Sequence, residues 1–163
     1  MNLVITGNVG AGKTTWCREY AQRLIQRGIQ AGGIVCPATF ERGVKTSYNV
    51  MDLSGGQCAV LGSLGTTATF PGEKVGKYLL SDSGLAFARH AIEAAIETGC
   101  DVVFLDEIGH LELAGKGLAE SATAAYRSAA NTVSVVRKTL LSDFLQRFSP
   151  TAVDGGFIIR EMG

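Results

Sequence analysis

Residues 7–14, GNVGAGKT, have the types and spacing of a phosphate-binding loop, G-x-x-x-x-G-K-[ST]. A row of phosphates needs several converging backbone N–H donors, and glycines let the backbone wrap closely around it. Lys13 is predicted to reach the β- and γ-phosphates, and the Thr14 hydroxyl is predicted to ligate Mg²⁺. Thr15 is a candidate contact for the α-phosphate. The predicted nucleotide-binding residues are Gly7, Asn8, Val9, Gly10, Ala11, Gly12, Lys13, Thr14 and Thr15.

Two acidic residues, Asp106 and Glu107, end the segment 101–107, DVVFLDE. An almost wholly apolar segment predicts a strand that is covered on both faces. Asp106 is predicted to hold the hydration shell of Mg²⁺, the expected cofactor. Glu107 is predicted to orient and deprotonate an attacking water, with Lys13 as the other catalytic residue. An Asp-Glu pair at a strand end is often only a helix cap, but the phosphate-binding loop in the same chain favours the functional interpretation.

Other charged residues are also candidates. Arg137 directly follows the predicted strand 132–136 and could stabilise charge near the γ-phosphate, although a solvated arginine is the favoured interpretation. His110 lies four residues beyond Asp106 and could contact the nucleotide, although a surface histidine is favoured. Several basic residues could close over phosphates as a lid, but a solvated basic loop is favoured. They are Arg42, Lys45, Lys74 and Lys77.

Alternating strands and helices must position these side chains. Apolar residues recur at helical spacing within 13–27, and Gly28 is placed to end that helix. Ser81 or Asp82 could cap a second helix that runs to Gly99. Further helices are predicted at 116–130 and 139–148, and strands at 2–6, 29–36, 47–53, 57–61, 101–107, 132–136 and within 151–160.

The predicted fold class is therefore α/β, of the P-loop NTPase kind. It has a mostly parallel sheet with helices on both faces and an antiparallel hairpin appendage at 47–61. Residues 62–74 are small, polar and punctuated by Gly and Pro, which predicts a mobile loop. No linker or internal repeat divides the chain, so residues 1–163 are predicted to form a single nucleotide-binding domain.

The charge composition limits the range of partners. Lys and Arg number 15, and Asp and Glu number 15, so the net charge is zero and no nucleic-acid or membrane partner is expected. No segment approaches the roughly 18 apolar residues of a membrane span. A basic region before the first apolar run is missing, so no signal peptide is expected, and the expected location is the cytoplasm. The cysteines are far apart and are expected to be reduced: Cys17, Cys36, Cys58 and Cys100.

Together, these motifs resemble those of the small P-loop nucleoside-triphosphatases of the cancer-related NTPase family. The matching stretches are ITGNVGAGKTT (5–15), DEIGHLEL (106–113) and VGKY (75–78), and the DEIG-x-x-EL element is the most specific. The resemblance implies Mg²⁺-dependent hydrolysis of ATP, GTP and other nucleoside triphosphates, with broad tolerance of the base. Glu112 belongs to the matching pattern, and the favoured role for it is a hydrogen bond that fixes the loop after the strand.

The chain departs from this family around its second predicted strand. GIVCPATF (33–40) stands where the family has a charged segment like GF-x-T-x-E-V-R. Val44-Lys45 stands where the family tends to have two arginines. The sequence therefore does not indicate which residue recognises the base or which arginine stabilises charge.

Three functions are compatible with these residues. The favoured one is a Mg²⁺-dependent nucleoside triphosphatase that uses water as the acceptor. The second is a small nucleotide or metabolite kinase, in which residues 62–78 would form a lid over a different acceptor. The third is a nucleotide-binding regulator with slow hydrolysis, whose protein partner is unknown. Glu107 beside Asp106 suits the activation of water, and the scattered arginines do not favour a kinase.

Overall fold

The computed structural model describes residues 1–153 and 155–163. The strands in these ranges are β1 (Asn2–Gly7), β2 (Ala31–Val35), β3 (Ala38–Glu41), β4 (Val44–Asp52), β5 (Cys58–Leu64), β6 (Gly72–Val75), β7 (Tyr78–Ser81), β8 (Val102–Ile108), β9 (Asn131–Arg137) and β10 (Ile158–Met162). The α-helices are α1 (Lys13–Gln26), α2 (Asp82–Glu97), α3 (His110–Leu113), α4 (Ala119–Arg127) and α5 (Leu141–Phe148).

The strands form one sheet in the order β10-β1-β9-β8-β2-β4-β5-β7-β6, and β3 pairs with β4 outside this order. All neighbours from β10 to β2 are parallel. β9 lies between β1 and β8, with Arg137 paired to Gly7 and Val136 paired to Ile108. Because parallel strands end at the same edge, the loop after β1 and the acidic end of β8 both lie there. The predicted α/β fold with a parallel core is confirmed, and the antiparallel strands beyond β2 make the whole sheet mixed.

Helices cover both faces of this sheet, as predicted. Alternate residues of β1 point to opposite faces, as the two-residue period of a strand requires. Ile5 lies in a buried cluster with Cys17 of α1, and Val4 lies in a second cluster with Ile92 of α2 and Phe144 of α5. None of the helices in the described ranges is long and apolar enough to span a membrane.

Beyond β2 the sheet continues as antiparallel strands. β4 and β5 form the hairpin that the sequence predicts at 47–61. β3, β6 and β7 were not predicted, and they enlarge this hairpin into a layer that is continuous with the parallel strands. The appendage is therefore one wing of the main sheet.

The prediction of a mobile loop at 62–74 is wrong at both ends, which belong to β5 and β6. Glycines weaken the strand pattern of these segments in the sequence. In the structure they lie where another group approaches the backbone closely. A Cβ at Gly62 would collide with the ring of Tyr48, and a Cβ at Gly72 would collide with the carbonyl group of Leu80. These glycines are required by packing.

Local signals placed two helix ends correctly. α1 ends at Gln26, and Gly28 follows with a φ of +79°, in the left-handed region that favours glycine. Ser81 Oγ accepts a hydrogen bond of 3.1 Å from Gly84 N and caps α2. The helix predicted at 116–130 is shorter, because Gly117 has a φ of +60° and α4 begins only after it.

The final strand begins inside the predicted range 151–160 and ends two residues beyond it. β10 occupies Ile158–Met162 and runs parallel to β1. A Cβ at Gly7 would lie 2.7 Å from the Met162 carbonyl oxygen. The absence of a side chain at the end of β1 therefore allows β10 to pair with it. Asp154, inside the predicted range, lies outside the described residues.

Truncation of a buried phenylalanine should be far more costly than truncation of an exposed one. Phe144 is fully buried, with ring centroids 5.2 Å from Phe148 and 5.0 Å from Phe157. Phe144→Ala is expected to lower the free energy of unfolding by about 3–5 kcal/mol in urea titrations followed by circular dichroism. The control is Phe40→Ala, because Phe40 is 60% exposed and its loss should cost no more than about 0.5 kcal/mol. Equal losses would contradict this placement of the core.

Candidate active site

The loop that joins β1 to α1 contains the residues that the sequence assigns to phosphate binding. Gly10 and Gly12 have φ values of +82° and +84°, which side chains disfavour. The backbone N of Ala11 donates to the Asn8 carbonyl at 3.1 Å, and Val9 is exposed at the tip. The first turn of α1 carries no acidic side chain, so its N–H groups and its dipole favour an anion there.

Lys13, the first residue of α1, is folded back over this loop. Its Nζ donates to the Gly7 carbonyl at 3.0 Å and to the Asn8 carbonyl at 2.7 Å. Lys13 is 6% exposed. Burial lowers the pKa of Lys13, although the Glu107 carboxylate partly offsets this effect. Lys13 therefore fastens the loop and holds a positive charge near the acidic end of β8.

Thr14 and Asp106 connect the start of α1 to the end of β8. The Thr14 hydroxyl lies near enough to the Asp106 carboxylate to lower its pKa. Asp106 Oδ2 accepts a hydrogen bond of 3.0 Å from the backbone N of Cys36. Burial raises the pKa of Asp106 to about 7, while the hydrogen bond from Cys36 and the nearby Thr14 hydroxyl lower it. The structure thus brings together the two side chains that the sequence assigns to the metal ion.

The neighbouring oxygens of Thr14 and Asp106 fit Mg²⁺. This ion prefers hard oxygen ligands, and it is usually bound by few protein groups together with substrate phosphates and water. A hydroxyl and a carboxylate that lie near each other beside the phosphate-binding loop supply such a donor set. Thr15, the next residue, is exposed in the first turn of α1.

Glu107 and Arg137 form an ion pair at the same edge of the sheet. Arg137 Nη2 lies 3.5 Å from Glu107 Oε1, and the two side chains are 38% and 33% exposed. Arg137 ends β9 and pairs with Gly7, so it lies beside the start of the loop. The sequence favoured a solvated arginine, whereas the structure pairs Arg137 with the residue that is predicted to activate water.

Glu112 and His110 lie in the short helix α3, which follows β8. The Glu112 carboxylate is buried and accepts hydrogen bonds of 2.9 Å from Gly109 N and from Leu118 N. Burial raises the pKa of Glu112, and these backbone hydrogen bonds lower it. Glu112 thus fixes the loop after β8, which is the role that the sequence analysis favoured. His110 is exposed.

Lys45 is the candidate whose surroundings the sequence analysis misjudged. The sequence favoured a solvated loop, but Lys45 lies within β4 and is partly buried. Its ammonium group is 4.4 Å from the ring centroid of Tyr48. The available signal was its place in the Val44-Lys45 pair, where the resembling family tends to have arginines.

A protein-family model described as NTPase matches residues 2–156 of the chain. The chain belongs to this NTPase family. The matched range includes Lys13, Asp106, Glu107 and Arg137, so the candidate active site lies within the family's common region. The family resemblance that the motifs indicated is confirmed.

Curated relatives carry the name nucleoside-triphosphatase THEP1. The chain is 37% identical to the Methanopyrus kandleri protein over 112 residues, which are 69% of this chain and 59% of that protein. It is 28% identical to the Methanosarcina barkeri protein over 149 residues, which are 90% of this chain and 82% of that protein. The chain therefore spans less than two thirds of the first relative and most of the second.

Two solved structures have the same fold. THEP1 from Aquifex aeolicus gives a TM-score of 0.74 at 22% identity, covering 99% of this chain and 90% of that one. A human cancer-related nucleoside triphosphatase gives 0.70 at 19% identity, covering 98% of this chain and 87% of that one. At such identities the likeness concerns the fold, and the predicted P-loop NTPase fold is confirmed.

Removal of the Glu112 carboxylate should destabilise the protein through the loop after β8. Glu112→Ala leaves the N–H groups of Gly109 and Leu118 without their acceptor, so the free energy of unfolding should fall by about 3 kcal/mol in urea titrations. Glu112→Gln keeps one amide oxygen and should lose less. Glu120→Ala, on the exposed side of α4, is the control and should change stability little. Equal stability of the Glu112→Ala and Glu120→Ala variants would show that these hydrogen bonds do not hold the loop.

Proposed function

We propose that this protein is a Mg²⁺-dependent nucleoside triphosphatase that converts ATP, GTP and related triphosphates to the diphosphate and phosphate, with broad tolerance of the base. The observation that carries the proposal is the convergence of Lys13, Thr14, Asp106 and the Glu107 carboxylate at one edge of the sheet. The shared name of the relatives, nucleoside-triphosphatase, supports the same activity.

The loop amides and Lys13 are the proposed binding groups for the triphosphate. Lys13 donates to two loop carbonyls in the structure, and a phosphate oxygen is a stronger acceptor because the hydrogen bond is then charge-assisted at both ends. Thr14 and Asp106 would hold Mg²⁺, which when bound neutralises phosphate charge. Binding therefore exchanges contacts within the loop for contacts to the substrate.

Glu107 is the proposed general base. The oxygen of a water molecule bonds to the γ-phosphorus while the bond from that phosphorus to the bridging oxygen breaks. The electron pair of the broken bond stays on the nucleoside diphosphate. The water proton passes to the Glu107 carboxylate, which then releases it to the phosphate product or to solvent. Arg137, 3.5 Å from Glu107, orients the carboxylate for this step.

The kinase alternative requires a mobile lid at residues 62–78. Both ends of this segment are strands of the sheet, and Gly65 N donates to the Lys77 carbonyl at 2.9 Å. A segment that is tied into the sheet at both ends is poorly suited to closing over a second substrate. The arrangement therefore weighs against the kinase alternative.

Phosphate release by the purified protein tests the proposed function. ATP, GTP, CTP and UTP are incubated with the protein, with and without Mg²⁺ and with and without hydroxyl acceptors. We expect phosphate release without an acceptor and loss of release without Mg²⁺. The rates for the four bases should lie within about a hundredfold of each other, because a pocket that recognised one base by hydrogen bonds would discriminate by that factor or more. Diphosphate formation only in the presence of an acceptor would contradict the hydrolase and support a kinase.

Lys13→Ala should lower both triphosphate affinity and hydrolysis. The lost contact is a charge-assisted hydrogen bond worth about 1.5–3 kcal/mol, which corresponds to a tenfold loss or more. Isothermal titration and phosphate release measure the two effects, and circular dichroism checks the fold. The control is Lys116→Ala, because that side chain is 65% exposed and its surface ion pair with Glu73 contributes little. Unchanged hydrolysis by Lys13→Ala would remove the loop from the mechanism.

A further inference from the structure

β4 carries Lys45 past the end of the neighbouring parallel strand. β4 is antiparallel to β2, and Val35, the last residue of β2, pairs with Met51. The residues of β4 that precede Met51 therefore continue beyond β2, on the side of the sheet where Asp106 and Glu107 lie near the end of β8. This geometry brings a strand from the antiparallel wing to the candidate active site.

A β-bulge in β4 turns the Lys45 side chain toward Tyr48. Thr39 of β3 pairs with Ser47, but the next residue of β3, Phe40, pairs with Lys45. The extra residue in β4 is Thr46, so Lys45 lies on the face that it would not occupy in a regular strand. Tyr48 lies on that same face. Bulges are common beside active sites, where they re-aim a side chain.

Two tyrosines hold the Lys45 ammonium group. It lies 4.4 Å from the ring centroid of Tyr48 and 5.7 Å from that of Tyr78, within cation–π range. The two rings meet edge to face with centroids 5.6 Å apart. The Tyr78 hydroxyl donates to the Lys45 carbonyl at 2.9 Å, and Gly62 leaves space for the Tyr48 ring. The backbone and the ammonium group of Lys45 are thus both held in place.

The ammonium group of Lys45 lies in the field of the active-site charges. Burial lowers the pKa of Lys45, the Glu107 carboxylate raises it, and Arg137 lowers it. Cys36 and Asp106 raise it to a smaller extent. From the other side, Lys45 lowers the pKa of Asp106. Together with the path of β4, these couplings place Lys45 on the side of the sheet where Asp106 and Glu107 lie.

The other basic groups of the site already have partners. Arg137 is paired with Glu107, and Lys13 donates to the loop carbonyls. Phosphoryl transfer depends mainly on positioning and on neutralising the charge of the phosphoryl oxygens, so a further cation opposite the loop has a clear use. Lys45 is held by aromatic rings in the field of Glu107 and Asp106, and these rings leave its N–H donors available for oxygen atoms.

We propose that Lys45, held by Tyr48 and Tyr78, is a catalytic residue that contacts the γ-phosphoryl oxygens and stabilises their charge in the transition state. This inference rests on the proposed hydrolase function. Lys45 forms no covalent bond and transfers no proton in this role. The bonds made and broken are those of the water attack that Glu107 assists, and Lys45 acts through its charge alone.

The test compares Lys45→Ala, Lys45→Met and Lys45→Arg with the wild type. Lys45→Met keeps an apolar stem against the tyrosines, so it remains informative where Lys45→Ala fails to fold. Lys77→Ala is the matched control, because Lys77 is exposed and its ammonium group lies 5.5 Å from the Tyr78 ring centroid. Steady-state kinetics give kcat and KM. Two affinities are measured in the presence of Mg²⁺: one for a non-hydrolysable triphosphate, and one for nucleoside diphosphate with aluminium fluoride, a complex that mimics the transition state.

We expect kcat to fall by about a hundredfold or more in the Ala and Met variants, the usual effect of removing one charge-stabilising donor. Affinity for the aluminium fluoride complex should fall by the same factor, while affinity for the non-hydrolysable triphosphate changes by less than about threefold. Lys45→Arg should restore part of kcat, and Lys77→Ala should match the wild type. Wild-type kcat in the Lys45→Ala or Lys45→Met variant, or an equal fall in triphosphate affinity, would overturn this inference and leave the hydrolase intact. A wild-type protein that releases no phosphate would instead overturn the proposed function itself.

Discussion

The close approach of Thr14 to the buried Asp106 carboxylate is the constraint on which the rest of the site depends. Asp106 lies near the end of β8, Thr14 lies in the first turn of α1, and β9 separates β8 from β1, the strand that leads to α1. The two residues come together because these strands are parallel and end at one edge. Burial of a carboxylate is costly, as its raised pKa of about 7 reflects, and the hydrogen bond from Cys36 N and the nearby Thr14 hydroxyl offset part of that cost. A bound cation would stabilise the buried Asp106 carboxylate further.

Both halves of the sheet contribute charges around this contact. The parallel half supplies Lys13 above the loop and the Glu107–Arg137 ion pair. The antiparallel half supplies Lys45, which two tyrosines hold within the electrostatic field of the same carboxylates. The antiparallel wing is therefore part of the candidate site, and its continuity with the parallel strands explains how a residue so distant in sequence from Asp106 can be positioned there.

The parts of the site that were predictable rest on short, local patterns. Lys13 and Thr14 follow from a loop motif whose spacing is fixed by phosphate geometry, and Asp106 follows from the apolar strand that it ends. The sequence named Lys45 only as one of several possible lid residues, and its placement was not predictable, because a bulge reverses the face on which its side chain lies and only the pairing with β3 reveals the bulge. β6 escaped prediction because Gly72 weakens the strand pattern while making close backbone contact possible.

The most direct test of Glu107 as the general base is a substitution that removes proton uptake and leaves nucleotide binding intact. Glu107→Gln keeps the size of the side chain and can still accept a hydrogen bond from water, but it cannot take up a proton. Phosphate release by Glu107→Gln should fall by at least about a hundredfold, while affinity for the Mg²⁺-triphosphate should change by less than about threefold. Asp106→Asn should instead weaken affinity and Mg²⁺ dependence together. Near-normal hydrolysis by Glu107→Gln would contradict the account.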